Sequence, residues 1–192
     1  MVIVLTIYIE EIMANLADVS GNLTITAETL DDCKEILELI DIITKHWYYS
    51  FDTYDEASIV EVTIGQTKDK DKVSIEIPFN ASGRWSFQNN ASLFGAWLAN
   101  TKEEENKDAP EAIRKLKKYS FSLRFEYDED ELGNQFIGEG VTTLVHKGNT
   151  PLDKMMITEE DYHSYELTVE NLVNIRGFDE DYAKSYLDEE ED

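Results

Sequence analysis

The chain has 192 residues, with 41 acidic against 17 basic side chains and a formal net charge of −24. That length is ample for a buried core, and 42% hydrophobic with 11% aromatic residues argues against a disordered polyanion. The sign of the charge excludes a protein that grips phosphates with Lys and Arg and disfavours anionic membranes; the single Cys33 excludes an internal disulfide framework and fits a reducing, cytoplasmic setting.

Met1 to Ile9 is an apolar run that Glu10 and Glu11 close. It is far short of the ~20 residues needed to span a bilayer, and no basic residue precedes it as in a secretory signal. A buried strand is the expectation, with Met13 as an alternative native start. From Asn15 to Thr26, Leu16 and Val19 then Leu23 and Ile25 flank Ser20-Gly21-Asn22, which reads as a hairpin turning at the glycine. Thr29 with Asp32 three residues on has capping-box spacing. Leu30, Cys33, Ile36, Leu37, Ile40 and Ile43 then recur at threes and fours, predicting an amphipathic helix over 30–45.

Strands are expected at Tyr48–Tyr54, at Ile59–Gly65, and from Val73 through Ile77. The last two pair across the charged turn Gln66–Asp71, and Pro78 ends the second. Gly83-Arg84-Trp85-Ser86-Phe87 reads as an aromatic loop. Asn90 is placed to cap a short helix with Leu93, Phe94, Trp97 and Leu98 on its apolar face. Asp108 and Pro110 open a further helix running to Lys118, with Ile113 and Leu116 inward and basic residues in its last turn. Tyr119 to Tyr127 is a strand with five alternating apolar residues. Asp128 to Asn134 reads as an acidic turn, and Gln135 to Val145 as the return strand, bulged or bent at Gly138 and Gly140. Beyond residue 150 the pattern predicts a short element near Met155, a strand over Tyr165–Val173, and a terminal helix with Phe178, Tyr182, Tyr186 and Leu187 on one face.

Strands grouped in hairpins with segregated helices predict an α+β fold, an antiparallel sheet with helices packed on one face. The expected organisation is a core domain over 1–147 and an acidic C-terminal extension over 148–192, ending in a helix and a solvated tail.

Pro110-Glu111-Ala112-Ile113 through Leu116, then Tyr119 to Tyr127, an acidic break and Phe136-Ile137-Gly138 resemble a segment of a ferredoxin-like family of phage and plasmid proteins. Gly83-Arg84-Trp85 and the short helix after it resemble the part preceding that segment. The resemblance covers roughly residues 58–147. It implies a ferredoxin-like core and a mobile-element origin, and it carries over no activity and no catalytic residue. The N-terminal hairpin and the tail after 148 depart from the family's pattern.

Little else points to chemistry. His46, His146 and His163 lack a second His or Cys at ligand spacing, so structural roles are expected and no metal or other cofactor. Cys33 lies on an apolar helix face, where a thiol is buried and inert. Asp128 to Gly133 with Glu139 partly matches a calcium loop, but Leu132 falls at a ligand position and the flanks are strands, so a charged turn accounts for it. There is no phosphate-binding glycine loop. Trp85 and Phe87 have no basic stripe to make them a stacking platform for single strands.

The acidity remains. A chain of this length folds to a diameter of ~40 Å, and that length of duplex displays about 24 phosphates, comparable to the net charge. The candidate partner-binding residues are the acidic clusters Asp52, Asp55 and Glu56; Glu103, Glu104 and Glu105; and Asp128, Glu129, Asp130 and Glu131, with Trp85 as an aromatic anchor. The expected function is a non-enzymatic inhibitor from a mobile element. It would act in the host cytoplasm as a nucleic-acid mimic in the basic channel of a host defence nuclease, of anti-CRISPR or anti-restriction type. Its partner is then a basic nucleic-acid-binding protein, with no direct contact to nucleic acid or membrane. The alternative is a protein interaction module or homodimer whose charge serves solubility only. Two convergent acids with perturbed pKa values in a cleft would instead indicate an enzyme.

Overall fold

A computed structural model describes residues 16–45, 50–53, 59–66, 71–84, 86–101, 107–131 and 135–190. The expected strand at Met1–Ile9 and the alternative start at Met13 lie outside them, as do His46, Trp85 and the turn residues 67–70. Among the described residues seven strands form one sheet: β1 (Leu16–Ala27), β2 (Ser50–Thr53), β3 (Glu61–Gln66), β4 (Asp71–Arg84), β5 (Phe121–Glu131), β6 (Phe136–His146) and β7 (Met156–Glu166). Their order is β2-β4-β1-β5-β6-β7, with β3 also paired to β4, and every pairing is antiparallel. The helices are α1 (Leu30–Thr44), α2 (Phe87–Ser92), α3 (Phe94–Asn100), α4 (Ala109–Leu116), α5 (Val169–Arg176) and α6 (Glu180–Glu190). Among the described residues no helix is long and apolar enough to cross a membrane.

Local signals set α1. The Thr29 hydroxyl accepts from the Asp32 N–H while the Asp32 carboxylate accepts from the Thr29 N–H, closing the expected capping box. Cys33, Ile36, Leu37, Ile40 and Ile43 are buried. Proline in the first turn opens α4, although Asp108 makes no side-chain cap bond. Asn90 lies buried inside α2 rather than capping a helix, and Leu93 is 53% exposed.

The expected hairpin at Ser20-Gly21-Asn22 is instead the middle of one 12-residue strand, β1. A Cβ on Gly21 would stand 2.2 Å from the Glu126 carbonyl oxygen, so the glycine is there to let β5 approach. Pro78 does not end β4. Glu76 turns its carbonyl toward β3, where it accepts from the Val60 N–H. By the two-residue repeat the Pro78 nitrogen faces the same side, in the gap between the β3 pairing, which ends at Glu76, and the β2 pairing, which begins at Phe79. No ladder bond is lost there.

Odd-numbered residues of β1, β4 and β5 point into the main core: Leu23 and Ile25, Ile75 and Ile77, Leu123 and Phe125. Phe125 stands edge-on to Phe51, Phe79 and Phe87, with ring centroids 6.1, 5.6 and 5.8 Å away, a favoured aromatic arrangement. Helices α1 and α2 cover this face.

The expectation of helices on one face only is corrected. Leu172 of α5 and Ala183 of α6 form a second cluster with Ile137, whose even-numbered neighbours on β6 serve the main core. These helices therefore sit on the opposite face. The predicted strand over Tyr165–Val173 is likewise corrected: β7 ends at Glu166, Thr168 caps α5 through the Asn171 N–H, and Gly177 ends it at φ 69°. β7 lies beyond residue 147 and is a member of the main sheet rather than an appendage.

Candidate acidic interaction face

The face of the sheet opposite the main core is set by strand parity and register. Reading across β4, β1, β5, β6 and β7, one row holds Ser82, Asp18, Asp130, Ile137 and Tyr165. The next holds Asn80, Ser20, Asp128, Glu139 and His163, and the third Pro78, Asn22, Glu126, Val141 and Asp161. The fourth holds Glu76, Thr24, Arg124, Thr143 and Glu159, with Glu61 of β3 beside Glu76. Neighbouring strands lie about 4.8 Å apart, and same-face residues along a strand about 7 Å apart. These spacings fall inside the ~8 Å Debye length at physiological salt, so the fields of the carboxylates add.

Two rows place like charges directly opposite: Asp18 against Asp130, and Glu61 against Glu76. Such pairs are destabilising. Two arginines offset part of the charge. Arg176, from the end of α5, donates to Asp128, to Asp130 and to the carbonyls of Glu129 and Gly138, with only 10% of its side chain exposed. Arg124 pairs with Glu126 and Glu159. The Thr143 hydroxyl, and then Arg124, hold the Glu159 carboxyl below its usual range. Asp18, Glu61 and Glu76 have no cationic partner among the described residues. A shallow groove lined by Asp18, Ser20, Asn80, Ser82, Asp128, Asp130, Arg176 and Phe178 runs along the β1–β4 side of the face. A second groove, lined by Asn22, Glu126, Glu139, Asp161 and His163, crosses it toward β7. Carboxylates beside a phenyl ring are groups that receive cations.

The strand that supplies Asp128 and Asp130 turns Glu129 the other way. Glu129 is 1% exposed. Its carboxylate accepts from the Phe87 N–H, at the start of α2, and from the Tyr162 hydroxyl of β7. Burial pushes its pKa up, against the lowering effect of these two donors and of Arg176. Burial first, and then the Glu129 carboxylate, raise Tyr162 well above an ordinary phenol. Gly138 leaves the space: a Cβ there would lie 2.8 Å from Glu129 Cγ. Gly140 likewise makes room for the Tyr127 ring. The two glycines therefore accommodate side chains of the neighbouring strand, and the register irregularity of β6 falls at Thr143/Leu144 instead.

Of the candidate residues, Asp128 and Asp130 lie on the face opposite the main core, with Asp128 exposed and Asp130 half-buried under Arg176 and Tyr186; Glu129 is interior, and Glu131 is half-buried at the end of β5. The acidic turn predicted at 128–134 is thus strand as far as Glu131. Asp52 lies in β2, paired with Asn80. Asp55, Glu56, Glu103, Glu104, Glu105 and Trp85 lie outside the described residues. The sequence reading missed Asp18, Glu61, Glu76, Glu126 and Glu139, which fall singly, and Glu159 and Asp161 of the run 159–161; they join only through register. Period-two alternation with the core residues of β1, β4 and β5 was the available signal.

Cys33 is buried, its thiol directed at the Ile25 and Val73 carbonyls, and burial raises its pKa. His146 is buried between the Tyr119 carbonyl and Thr150, whereas His163 is exposed beside Asp161. Among the described residues no group of three His, Cys, Asp or Glu side chains is arranged to hold a metal ion. Comparison with family models, curated proteins and solved structures found no match.

Proposed function

We propose that this chain is a non-enzymatic acidic inhibitor that uses the part of this sheet face left exposed by α5 and α6 as a nucleic-acid mimic against a basic nucleic-acid-binding protein. The observation that carries the reading is the register that gathers Asp18, Glu76, Glu126, Asp128, Glu139 and Asp161 on one side of the molecule. Arg176 shows the chemistry in cis, one guanidinium held by Asp128 and Asp130 of that face. The proposed target is the nucleic-acid channel of a host defence nuclease in the cytoplasm of a cell carrying the phage or plasmid. The core is proposed to be ferredoxin-like. In its support, β1, α1, the β2/β3 pair, β4, the helices α2–α4 and β5 follow a β-α-β-β-α-β order, with β5 and β4 flanking β1. The hairpin-like addition of β6 and β7 extends that unit.

The test is association with such a nuclease measured against salt and against competing DNA. Affinity is expected to fall at least tenfold between 0.1 and 0.5 M salt, because steering by many carboxylates is screened. DNA should compete. Changing Glu126, Glu139 and Asp161 together to Ser should weaken binding without altering the fold. Unchanged affinity in 0.5 M salt, with no competition by DNA, refutes the mimic. A second reading, an interaction module whose charge serves solubility, is favoured by the aromatic cluster Phe178, Tyr182 and Tyr186, in which Tyr182 is 52% exposed. Loss of binding on deleting 178–192, at constant salt slope, supports it.

A further inference from the structure

We propose that β7, an edge strand of the sheet formed by the described residues, accepts an extended Lys- or Arg-bearing segment of a partner protein as an additional antiparallel strand. The proposal deepens the reading of the acidic face by naming the form of the partner's contact. Among the described residues β7 has one strand neighbour, β6, and almost all of its 11 residues are exposed. The phase of its backbone follows from one bond. The Leu167 N–H donates to the Gln135 carbonyl, one step beyond the Phe136–Glu166 pair. Asp161, His163 and Tyr165 therefore turn their N–H and C=O groups toward β6, while Glu160, Tyr162 and Ser164 turn theirs outward. Asn171 Nδ2 donates to the Glu166 carbonyl, which marks where the free edge stops.

Edges of this length are ordinarily blunted by Lys, Pro or shortness, and β7 contains neither Lys nor Pro. It carries Glu159, Glu160, Asp161 and Glu166 instead. Those charges oppose a second copy of a chain whose net charge is −24 and favour a basic strand, so one edge rejects self-pairing and selects its partner. In strand addition the main-chain bonds supply affinity and alternate side chains supply specificity. Side chains of the incoming strand on the open face would meet Glu159 and Asp161, and those on the other face would meet Glu160. Steering by the acidic face then delivers the segment, and the β7 backbone sets its register.

The probe is a synthetic peptide of alternating Lys and Thr, compared with the same peptide methylated on alternate backbone nitrogens and with a neutral Gln/Thr version. Anisotropy reads affinity and amide hydrogen exchange reads protection. The Lys/Thr peptide is expected to bind and to protect the Tyr162 and Ser164 amides, with the methylated and neutral peptides at least tenfold weaker. Ser164→Pro removes an outward N–H without costing a bond to β6 and should weaken the Lys/Thr peptide at least tenfold, with circular dichroism unchanged. If that variant does not fold, protection in the wild-type chain decides. Equal binding of the methylated peptide, or no protection at Tyr162 and Ser164, overturns the edge while leaving a charge-only mimic standing. Dimerisation in sedimentation that Ser164→Pro abolishes also overturns it, by making the occupant a second copy. Protection that persists in 0.5 M salt, beside a nuclease affinity indifferent to salt, removes the mimic and keeps the edge.

Discussion

Replacing Glu129 separates the two things its carboxylate does. Glu129→Ala leaves the buried Phe87 N–H and the Tyr162 hydroxyl without an acceptor. An unsatisfied buried donor costs ~1–3 kcal/mol, and the stem packed against Gly138 adds ~0.8 kcal/mol per lost methylene. Tyr162 is only half-buried and can turn to water, and removal of a desolvated charge offsets part of the loss. The expected net cost is about 2 kcal/mol, or a fall of roughly 4–8 °C in Tm for a chain of this size. Glu129→Gln keeps both contacts, its carbonyl accepting from Phe87 and its amide donating to the tyrosine oxygen. It should stay within ~1 kcal/mol of wild type at pH 7. The pH dependence has a definite sign. The folded-state pKa is raised above the unfolded value. The contribution is therefore fully present below the unfolded value and is lost as pH rises through the folded one. Wild type should lose stability relative to Glu129→Gln on going from pH 4 to pH 8. Thermal scans of the three proteins across that range measure all of this. An Ala variant within ~0.5 kcal/mol of wild type, or a Gln variant as damaged as Ala, refutes the assignment; so does a wild-type advantage over Gln that grows with pH.

Other substitutions address the sheet, the C-terminal helices and the thiol. Gly21→Ala pushes a methyl into the Glu126 carbonyl and should cost about 1–3 kcal/mol; denaturant unfolding that is unaltered would mean β1 and β5 are not this close. Arg176→Ala should free α5 and α6 at a cost of about 2 kcal/mol, the scale of a hydrogen-bonded charge. Faster amide exchange confined to 168–187 is the expected signature, and global destabilisation without it counts against the pin. Cys33 should resist thiol reagents in the native protein and react stoichiometrically in denaturant, since its thiol is buried and its pKa raised; prompt native labelling refutes that placement.

Where local chemistry decides structure, the residues could be read directly: the Thr29–Asp32 box, Pro110 in α4, and the alternation of Phe121, Leu123, Phe125 and Tyr127. Where a neighbour decides it, they could not. Gly21 between Ser20 and Asn22 has the composition of a turn, and only β5 across from it explains a glycine in mid-strand. Asp128 to Glu131 look like a loop because four acids disfavour a strand. Strand preference depends on what lies alongside, and here Tyr162, Phe87 and Arg176 supply the partners. β7 is wet on both sides, so it lacks the alternation that marks a half-buried strand. α5 was hidden because Leu172 is its one fully buried residue, although Gly177 stood as a stop signal. The acidic face was missed for the same reason as the long strands. Single acids on β1, β4 and β6 carry no local signature, the run Glu159-Glu160-Asp161 on β7 sends alternate members to opposite faces, and register alone unites them.

The guanidinium that fastens α5 to Asp128 and Asp130 ties two equilibria together. An outside cation that takes those carboxylates competes with the protein's own arginine. By thermodynamic reciprocity, whatever factor such an occupant loses to the docked helices, the helices lose in docking when it is present. Truncation or loosening of the last twenty or so residues would then sharpen the molecule's appetite for cations, and the carboxy-terminal segment becomes an adjustable brake on the surface it leans against.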